Sequence, residues 1–175
     1  SSSSPNLKDN FSNNDSHLED NLPIVGSSPV MQNVYRVLSK VINTDFNILI
    51  EGKSGTGKNL IAKVLHDFGT RKDKSFLSVN LSLISLKELQ DIFLENFEGQ
   101  SDIIVGTLFL DEISSANIEV QNFILSVLNK RETSEKGYKD LKIVSSSRQD
   151  LKEAIENGRF REDLYYRLNE VSLVI

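Results

Sequence analysis

Two short stretches of the sequence carry residue types that bind phosphate and activate water. The stretch GKSGTGKN, residues 52–59, matches the phosphate-loop pattern G-x-x-x-x-G-K-S/T except at its last position, Asn59. Glycines in such a loop let backbone N–H groups approach oxygen anions, and the Lys58 ammonium is expected to reach the β- and γ-phosphates. The stretch TLFLDE ends in two adjacent carboxylates, Asp111 and Glu112. Together they predict a site for a nucleoside triphosphate and Mg²⁺.

Each stretch taken alone has a simpler interpretation, a Gly-rich turn in one case and an exposed acidic turn in the other. The loop follows an apolar strand and precedes a helix, which is the context that phosphate binding requires, so the functional interpretation is favoured for both. Asp111 is then expected to hold magnesium, directly or through water, and Glu112 to polarise the water that attacks the γ-phosphate. The amide of Asn59 stands where a hydroxyl normally binds the metal, and its oxygen offers a replacement.

Three arginines, Arg159, Arg161 and Arg167, lie close together in the stretch GRFREDLYYRLNE. They form either an exposed helix face, paired with the acidic residues around them, or arginine fingers that contact the γ-phosphate of a neighbouring subunit. Their spacing alone does not decide between these interpretations.

The elements around these residues alternate between strand and helix. Apolar strands are predicted at 46–51, 76–80, 106–112, 141–145 and 171–175, and amphipathic helices at 28–43, 57–69, 85–97, 118–130, 150–158 and 161–168. Strands that are apolar throughout and alternate with helices predict an α/β fold with a parallel sheet covered on both faces. Ligands of such sheets bind at the carboxyl ends of the strands, where the loop and the two carboxylates are expected to meet.

Composition limits the remaining possibilities. Residues 1–21 hold six Ser and five Asn, which predicts a flexible linker or tail before a folded domain at 22–175. The net charge of −5 argues against a nucleic-acid-binding surface, and the lack of Cys excludes disulfides and thiolate metal sites. No apolar run approaches the ~18 residues that span a bilayer, so no membrane partner is expected and the compartment is predicted to be cytoplasmic.

The motifs together resemble the AAA+ domain of the sigma-54-dependent transcription activators, the NtrC family. The matching stretches are GKSGTGKN, FLSVN, GTLFLDEI and GRFREDLYYRLN, in the family's order within residues 22–175. The resemblance implies a three-layer P-loop NTPase fold with a parallel five-stranded sheet, whose small helical lid would lie beyond Ile175. It also implies ATP and Mg²⁺ as ligands and self-association as a dimer or a hexameric ring.

The resemblance also implies roles for single residues in nucleotide binding. Three residues of LPIVG are similar to the adenine-contacting segment of the family: Ile24, Val25 and Gly26. The family's Walker A loop corresponds here to Gly52, Lys53, Ser54, Gly55, Thr56, Gly57, Lys58 and Asn59. Since the family usually has Glu rather than a hydroxyl at the last position, Asn59 is a neutral substitute for an acid. Lys53 replaces another usual Glu and makes the loop more basic.

The residues implied in hydrolysis lie in the other matching stretches. Asp111 and Glu112 match the Walker B pair, and Asn80 matches the residue that holds the catalytic glutamate until γ-phosphate is sensed. Arg161 and Arg167 match the paired trans-acting fingers, whereas Arg159 lies outside that pair.

The sequence departs from the family pattern at two places. The GAFTGA loop that touches sigma-54 is missing from the short interval LENFEGQSDIIV, residues 94–105. The family's sensor Thr-Asn is replaced by Ser147 and Arg148, which puts a cation where it is expected to face phosphate. Shortened loops of this kind occur in NtrX-like response regulators, the branch that the sequence resembles most.

The resulting hypothesis is an ATP-binding regulatory domain of a bacterial response regulator that couples nucleotide state to oligomerisation without the usual sigma-54 contact. DNA would be bound by a domain outside this chain, and a sensor kinase would act through an upstream receiver domain. The alternatives are an active ATPase that remodels sigma-54 RNA polymerase and a nucleotide-binding dimerisation scaffold without hydrolysis. A small-molecule kinase would fit the phosphate loop but leaves FREDLYYRLN unexplained.

Overall fold

A parallel sheet with helices on both faces organises the chain. The computed structural model describes residues 29–99 and 102–175. The strands are β1 Ile48–Glu51, β2 Ser75–Asn80, β3 Val105–Asp111, β4 Lys142–Ser147 and β5 Val171–Val174. The helices are α1 Pro29–Val41, α2 Lys58–Asp67, α3 Leu86–Phe93, α4 Ile118–Glu132, α5 Leu151–Glu156 and α6 Glu162–Leu168.

The strand order is β2-β3-β4-β1-β5, and every neighbouring pair is parallel. This architecture confirms the predicted α/β fold with a five-stranded parallel sheet. The predicted strands and helices are all present, with shifts of a few residues at their ends. Strand β1 begins two residues later than predicted, and β4 ends two residues later, at Ser147, because the register with β1 extends to the pair of Glu51 and Ser147. The predicted linker, residues 1–21, lies outside the described residues.

The core lies in two layers because side chains of a strand alternate between the two faces of the sheet. Leu49, Leu108 and Leu110 contribute to a cluster that includes the buried side chains of α3, α4 and α6. Ile48 and Phe109, their neighbours in the strands, contribute to a cluster with the buried side chains of α1 and α2. Helices therefore cover both faces of the sheet, which makes the domain a three-layer sandwich and explains why the central strand β3 is buried along its whole length.

The connection from α3 towards β3 begins with a turn that is packed against the core. Helix α3 runs directly into a π-helical turn, Leu94–Glu98, and β3 begins at Val105. The Phe97 ring of this turn stacks on Tyr138, with the ring centroids 4.8 Å apart and an interplanar angle of 15°. Among the described residues, no helix combines the length and apolar character that crossing a bilayer requires.

Candidate nucleotide-binding site

The loop between β1 and α2 has the backbone of an anion-binding turn. Gly55 and Gly57 have φ values of +80° and +90°, a conformation that side-chain-bearing residues rarely adopt. Gly57 is the N-cap of α2 and offers no side-chain cap, so the first N–H groups of the helix have no side-chain acceptor at the cap. Exposed N–H groups and the positive end of the helix dipole favour an anion at this place.

Lys58 places a buried cation beneath this loop. The residue is only 6% exposed, and its Nζ donates hydrogen bonds to the backbone oxygens of Gly52 at 2.5 Å and Lys53 at 3.0 Å. The hydroxyl of Thr56 donates to the same Lys53 oxygen at 2.6 Å, which closes the turn. A buried ammonium with no carboxylate partner in these contacts leaves the loop with uncompensated positive charge, which suits a phosphate group.

The acidic end of β3 lies opposite this loop. Asp111 is 8% exposed, and its Oδ1 accepts a 2.6 Å hydrogen bond from the hydroxyl of Ser146. The same Ser146 oxygen accepts a hydrogen bond from the backbone N–H of Glu112 at 3.1 Å. Ser146 therefore fixes both acidic residues from the neighbouring strand β4. Sequence reasoning missed this residue, and the only signal for it is the run of three serines, residues 145–147, directly after the apolar pair Ile143 and Val144.

One cavity of about 410 Å³ is lined by eight of the predicted site residues. We call it the phosphate cavity, and it is lined by Ser54, Gly55, Gly57, Lys58, Asn59, Asn80, Asp111 and Glu112. These residues come from the loop and from the carboxyl ends of β2 and β3, as the parallel topology predicts. The structure thus brings together residues that are far apart in the sequence.

Asn80 lies in this cavity but is engaged with its own turn. Its Oδ1 accepts hydrogen bonds from the backbone N–H of Ser82 at 2.9 Å and from the Ser82 hydroxyl at 2.6 Å. Glu112 instead has a charged neighbour directly after β4, because its Oε2 lies 3.7 Å from Nε of Arg148. The cation that replaces the sensor Asn therefore faces the predicted catalytic carboxylate.

Arg161 and Arg167 lie away from the phosphate cavity of their own chain. Arg161 donates to both carboxylate oxygens of Asp163, at 3.0 and 2.8 Å, and to Asn122. The hydrogen bond from Arg161 lowers the pKa of the Asp163 carboxyl and outweighs the small rise that burial causes. Arg167 donates to Asn129 at 2.8 Å and Glu132 at 2.7 Å. Neither arginine is among the described residues that line the phosphate cavity.

Other predicted site residues are not among the described residues that line the phosphate cavity. Three of them, Ile24, Val25 and Gly26 of the predicted adenine-contacting segment, lie outside the described residues. Lys53 is exposed on the loop, and its backbone oxygen is one of the Lys58 acceptors.

The donor set suits magnesium held together with phosphate rather than by the protein alone. Among the described residues, no group of three or more His, Asp or Glu side chains could hold a metal by itself. Magnesium is commonly held by one or two carboxylates plus the phosphates of its nucleotide. Asp111, buried in the phosphate cavity, and the Asn59 amide are the residues that would hold it, and the ion would neutralise phosphate charge.

Comparison with known proteins shows a family match over most of the chain. The family model of the sigma-54 interaction domain matches residues 24–97 and 96–174. The match divides at residues 96–97, within the π-helical turn at Leu94–Glu98. The division therefore coincides with the shortened segment.

Curated relatives are longer regulators. The chain is 38% identical over 172 residues to the DNA-binding transcriptional regulator NtrC of Rhizobium meliloti (strain 1021), covering 89% of this chain and 36% of that protein. It is 32% identical over 171 residues to the C4-dicarboxylate transport transcriptional regulatory protein DctD of the same organism, covering 88% of this chain and 37% of that protein. The chain thus spans a little over a third of the length of these relatives.

Solved structures with the same architecture include a nucleotide-bound protein. NtrX from Brucella abortus in complex with ADP superposes with a TM-score of 0.74 at 31% identity, over 97% of this chain and 41% of that chain. The complex of the same protein with ATP gives a TM-score of 0.72 at 30% identity, over 91% of this chain and 38% of that chain.

Proposed function

The chain belongs to the family of sigma-54 interaction domains, the AAA+ domains of NtrC-type regulators, and on that premise we propose that it binds ATP with Mg²⁺ and couples the bound nucleotide to self-assembly. The parent protein would be a cytoplasmic bacterial response regulator. DNA recognition and reception of the signal from a sensor kinase would belong to domains outside this chain.

The observation that carries this proposal is the phosphate cavity. Its lining joins a glycine loop in the positive-φ conformation, the buried ammonium of Lys58 and the carboxylates of Asp111 and Glu112. A purely structural turn would not need a buried lysine that contacts two backbone oxygens and lines a cavity together with two carboxylates. The known ADP and ATP complexes of NtrX, a structural relative, support nucleotide as the ligand.

Hydrolysis would use Glu112 as the base. A water oxygen attacks the γ-phosphorus while the bond to the β,γ-bridging oxygen breaks, giving ADP and inorganic phosphate. The water proton passes to the Glu112 carboxylate, and Lys58 stabilises the charge that develops on the phosphate oxygens. Asp111 would hold the magnesium–nucleotide complex close to Glu112 and Lys58.

Assembly would complete the site. Arg161 is 41% and Arg167 26% exposed at the side chain, and both are paired with residues of their own chain. Surface ion pairs of this kind contribute little stability, so the guanidinium groups are free to exchange partners when another subunit presents a phosphate. Turnover per molecule should therefore increase with protein concentration if hydrolysis occurs.

Contact with sigma-54 through the usual loop is not part of the proposal. The π-helical turn at Leu94–Glu98 is held to Tyr138, and β3 begins soon afterwards at Val105. This short connection leaves no long projecting loop to contact a polymerase. The competing proposal is an active ATPase that remodels sigma-54 polymerase through another surface. A binding assay with purified sigma-54 factor and an ATP transition-state mimic separates the two. A complex would favour the competing proposal, and we expect none.

Calorimetric titration of the chain with ATP and ADP, with and without magnesium, tests the nucleotide site. Lys58→Ala should abolish measurable binding of both nucleotides. The control is Lys63→Ala, which removes an exposed lysine of the same helix that pairs with Asp67. Equal affinities for the wild type and the Lys58 variant would overturn the proposed site. Binding that persists without any turnover would favour a nucleotide-dependent scaffold over an ATPase.

A further inference from the structure

Glu112, the proposed base, has an uncommon backbone conformation and a carboxylate oxygen without a hydrogen-bond donor among the described residues. Its φ of +55° places a non-glycine residue in the left-handed region, which positions its side chain at the end of β3. The side chain is 15% exposed, and its Oε2 is buried without a hydrogen-bond partner. A buried carboxylate oxygen that lacks a donor is costly, so a charged neighbour is needed to retain it.

Arg148 supplies that charge without satisfying the oxygen. Its Nε lies 3.7 Å from Oε2 of Glu112, close enough for an ion pair but too long for a hydrogen bond. The Arg148 side chain is 52% exposed, so this attraction is screened by water and is easily exchanged. Asn80 does not satisfy this oxygen either, since no donor among the described residues, the Asn80 amide included, forms a hydrogen bond to Oε2 of Glu112.

Arg148 also lies beside the phosphate loop. It directly follows Ser147, whose backbone oxygen accepts a hydrogen bond from the N–H of Gly52 at 3.1 Å. Gly52 is the first residue of the loop, so one side of Arg148 faces Glu112 and its backbone adjoins the nucleotide site. A guanidinium has several donors in one plane and forms strong hydrogen bonds with phosphate oxygens. Such bonds are stronger than its present ion pair with a carboxylate that lies beyond hydrogen-bond distance.

We propose that Arg148 is a positioning residue that pairs alternately with the Glu112 carboxylate and with the third phosphate of the nucleotide. When the third phosphate is absent, Arg148 restrains the Glu112 carboxylate. When the third phosphate is present, the Arg148 guanidinium moves to that phosphate, and the released carboxylate can take a proton from water. The arginine thus couples activation of the base to the presence of a triphosphate. This inference rests on the proposed function.

A double-mutant cycle on nucleotide affinity tests this exchange without requiring turnover. The four proteins are the wild type, Arg148→Gln, Glu112→Gln and the double variant. Each is titrated calorimetrically with ADP and with a non-hydrolysable β,γ-methylene analogue of ATP. Thermal unfolding midpoints of the four proteins check that each variant is folded.

Arg148→Gln should weaken binding of the analogue about tenfold while ADP affinity changes by less than about twofold, because only the triphosphate engages the guanidinium. Glu112→Gln should strengthen analogue binding, and this gain should be larger when Arg148 is present than in the Arg148→Gln background. Arg148→Lys keeps the charge without the planar fork, so its analogue affinity should fall between those of the wild type and Arg148→Gln.

The outcomes separate this inference from the proposed function. If the wild type binds both nucleotides but Arg148→Gln weakens them equally, or if the two substitutions act independently on analogue affinity, the shared role of Arg148 is wrong and the nucleotide site stands. If the wild type binds neither nucleotide, both the site and the role of Arg148 are rejected. Should Arg148→Gln fail to fold, Arg148→Lys provides the same comparison between the analogue and ADP.

Discussion

The hydroxyl of Ser146 donates to Oδ1 of Asp111 at 2.6 Å and accepts the backbone N–H of Glu112 at 3.1 Å. One buried serine on β4 thus contacts the last residue of β3 and the residue that follows it. Ser146 is fully buried, so both hydrogen bonds lie away from the protein surface. The serine therefore orients the Asp111 carboxylate directly and holds Glu112 through its backbone.

Replacing Ser146 with Ala should weaken nucleotide binding in the presence of magnesium about tenfold, since a hydrogen bond to a charged group contributes about 1.5 kcal/mol or more. Binding without magnesium should change much less, because Asp111 acts through the metal. The measurement is calorimetric titration with ATP under both conditions. Ser145→Ala is the matched control, since its buried hydroxyl has no hydrogen-bond partner in the described structure. Equal losses with and without magnesium would contradict this role.

The sequence was sufficient to predict the sheet, its parallel direction and the phosphate loop. Apolar strands, helical periodicity and the spacing of Gly52, Gly57 and Lys58 are local patterns, and each imposes one backbone geometry. The parallel sheet then requires the loop and the end of β3 to meet at one edge. That is why Asp111 and Lys58 could be predicted to share a site although fifty-three positions separate them.

The contacts within the site could not be predicted in the same way. Ser146 is one of three consecutive buried serines, and which hydroxyl meets Asp111 depends on the register of β3 and β4. The pair of Arg148 and Glu112 likewise depends on side-chain positions across two strands. Resemblance to the family predicts a role for Asn80 in holding Glu112, whereas the structure places Arg148 next to that carboxylate. Such pairings are set by tertiary geometry rather than by local pattern.

Gly137 should be required for the close approach of its backbone to the π-helical turn at Leu94–Glu98. Its φ is +93°, and a Cβ at this position would lie 2.2 Å from the backbone oxygen of Phe97. Gly137→Ala should therefore lower the free energy of unfolding by more than the ~1 kcal/mol that left-handed backbone strain costs alone. Urea denaturation measures this difference. The matched control is Gly158→Ala, where φ is +71° but a Cβ would meet nothing within 4 Å; equal losses for the two variants would show that the contact with Phe97 is unimportant.

Lys142 should make stability depend on pH in the alkaline range. Its Nζ donates to the backbone oxygens of Val41 at 3.1 Å and Thr44 at 2.9 Å, and burial, aided by nearby Arg71, lowers the pKa of Lys142 to about 8. An unfolded lysine has a pKa of about 10.4, so the unfolded chain holds more protons between about pH 8 and pH 10, and stability rises with pH in that window. The opposing effect of Tyr138, whose pKa is raised to about 12, begins only above about pH 10, where an unfolded tyrosine ionises.

Urea unfolding at pH 7 and pH 9.5 measures this effect. The free energy of unfolding should increase by on the order of 2 kcal/mol between these values, as expected for a lysine whose pKa falls to about 8 on folding. Lys142→Met should remove most of the increase, even though it also removes two hydrogen bonds and lowers stability at both pH values. A Lys142→Met protein with the same rise in stability as the wild type would assign the pH dependence to other groups.

Mixing two inactive variants should distinguish arginine fingers from surface ion pairs. Arg167→Ala should abolish turnover of the assembled protein, although the lost pair with Glu132, exposed at the surface, should cost less than about 1 kcal/mol of stability. Glu112→Gln should also abolish turnover, because it removes the base of each subunit's own site. In a mixture, a Glu112→Gln subunit offers an intact Arg167 to a neighbour that retains Glu112.

Turnover should therefore recover in the mixture if Arg167 acts on an adjacent subunit. Recovery should peak near equal amounts of the two proteins and should disappear on dilution, since it requires an interface between unlike subunits. Arg159→Ala is the control, because Arg159 is exposed and the family's finger pair does not include it, so that protein should keep its activity when assayed alone. A mixture as inactive as its components, at concentrations where the wild type is active, would mean that Arg167 serves only its contacts with Asn129 and Glu132.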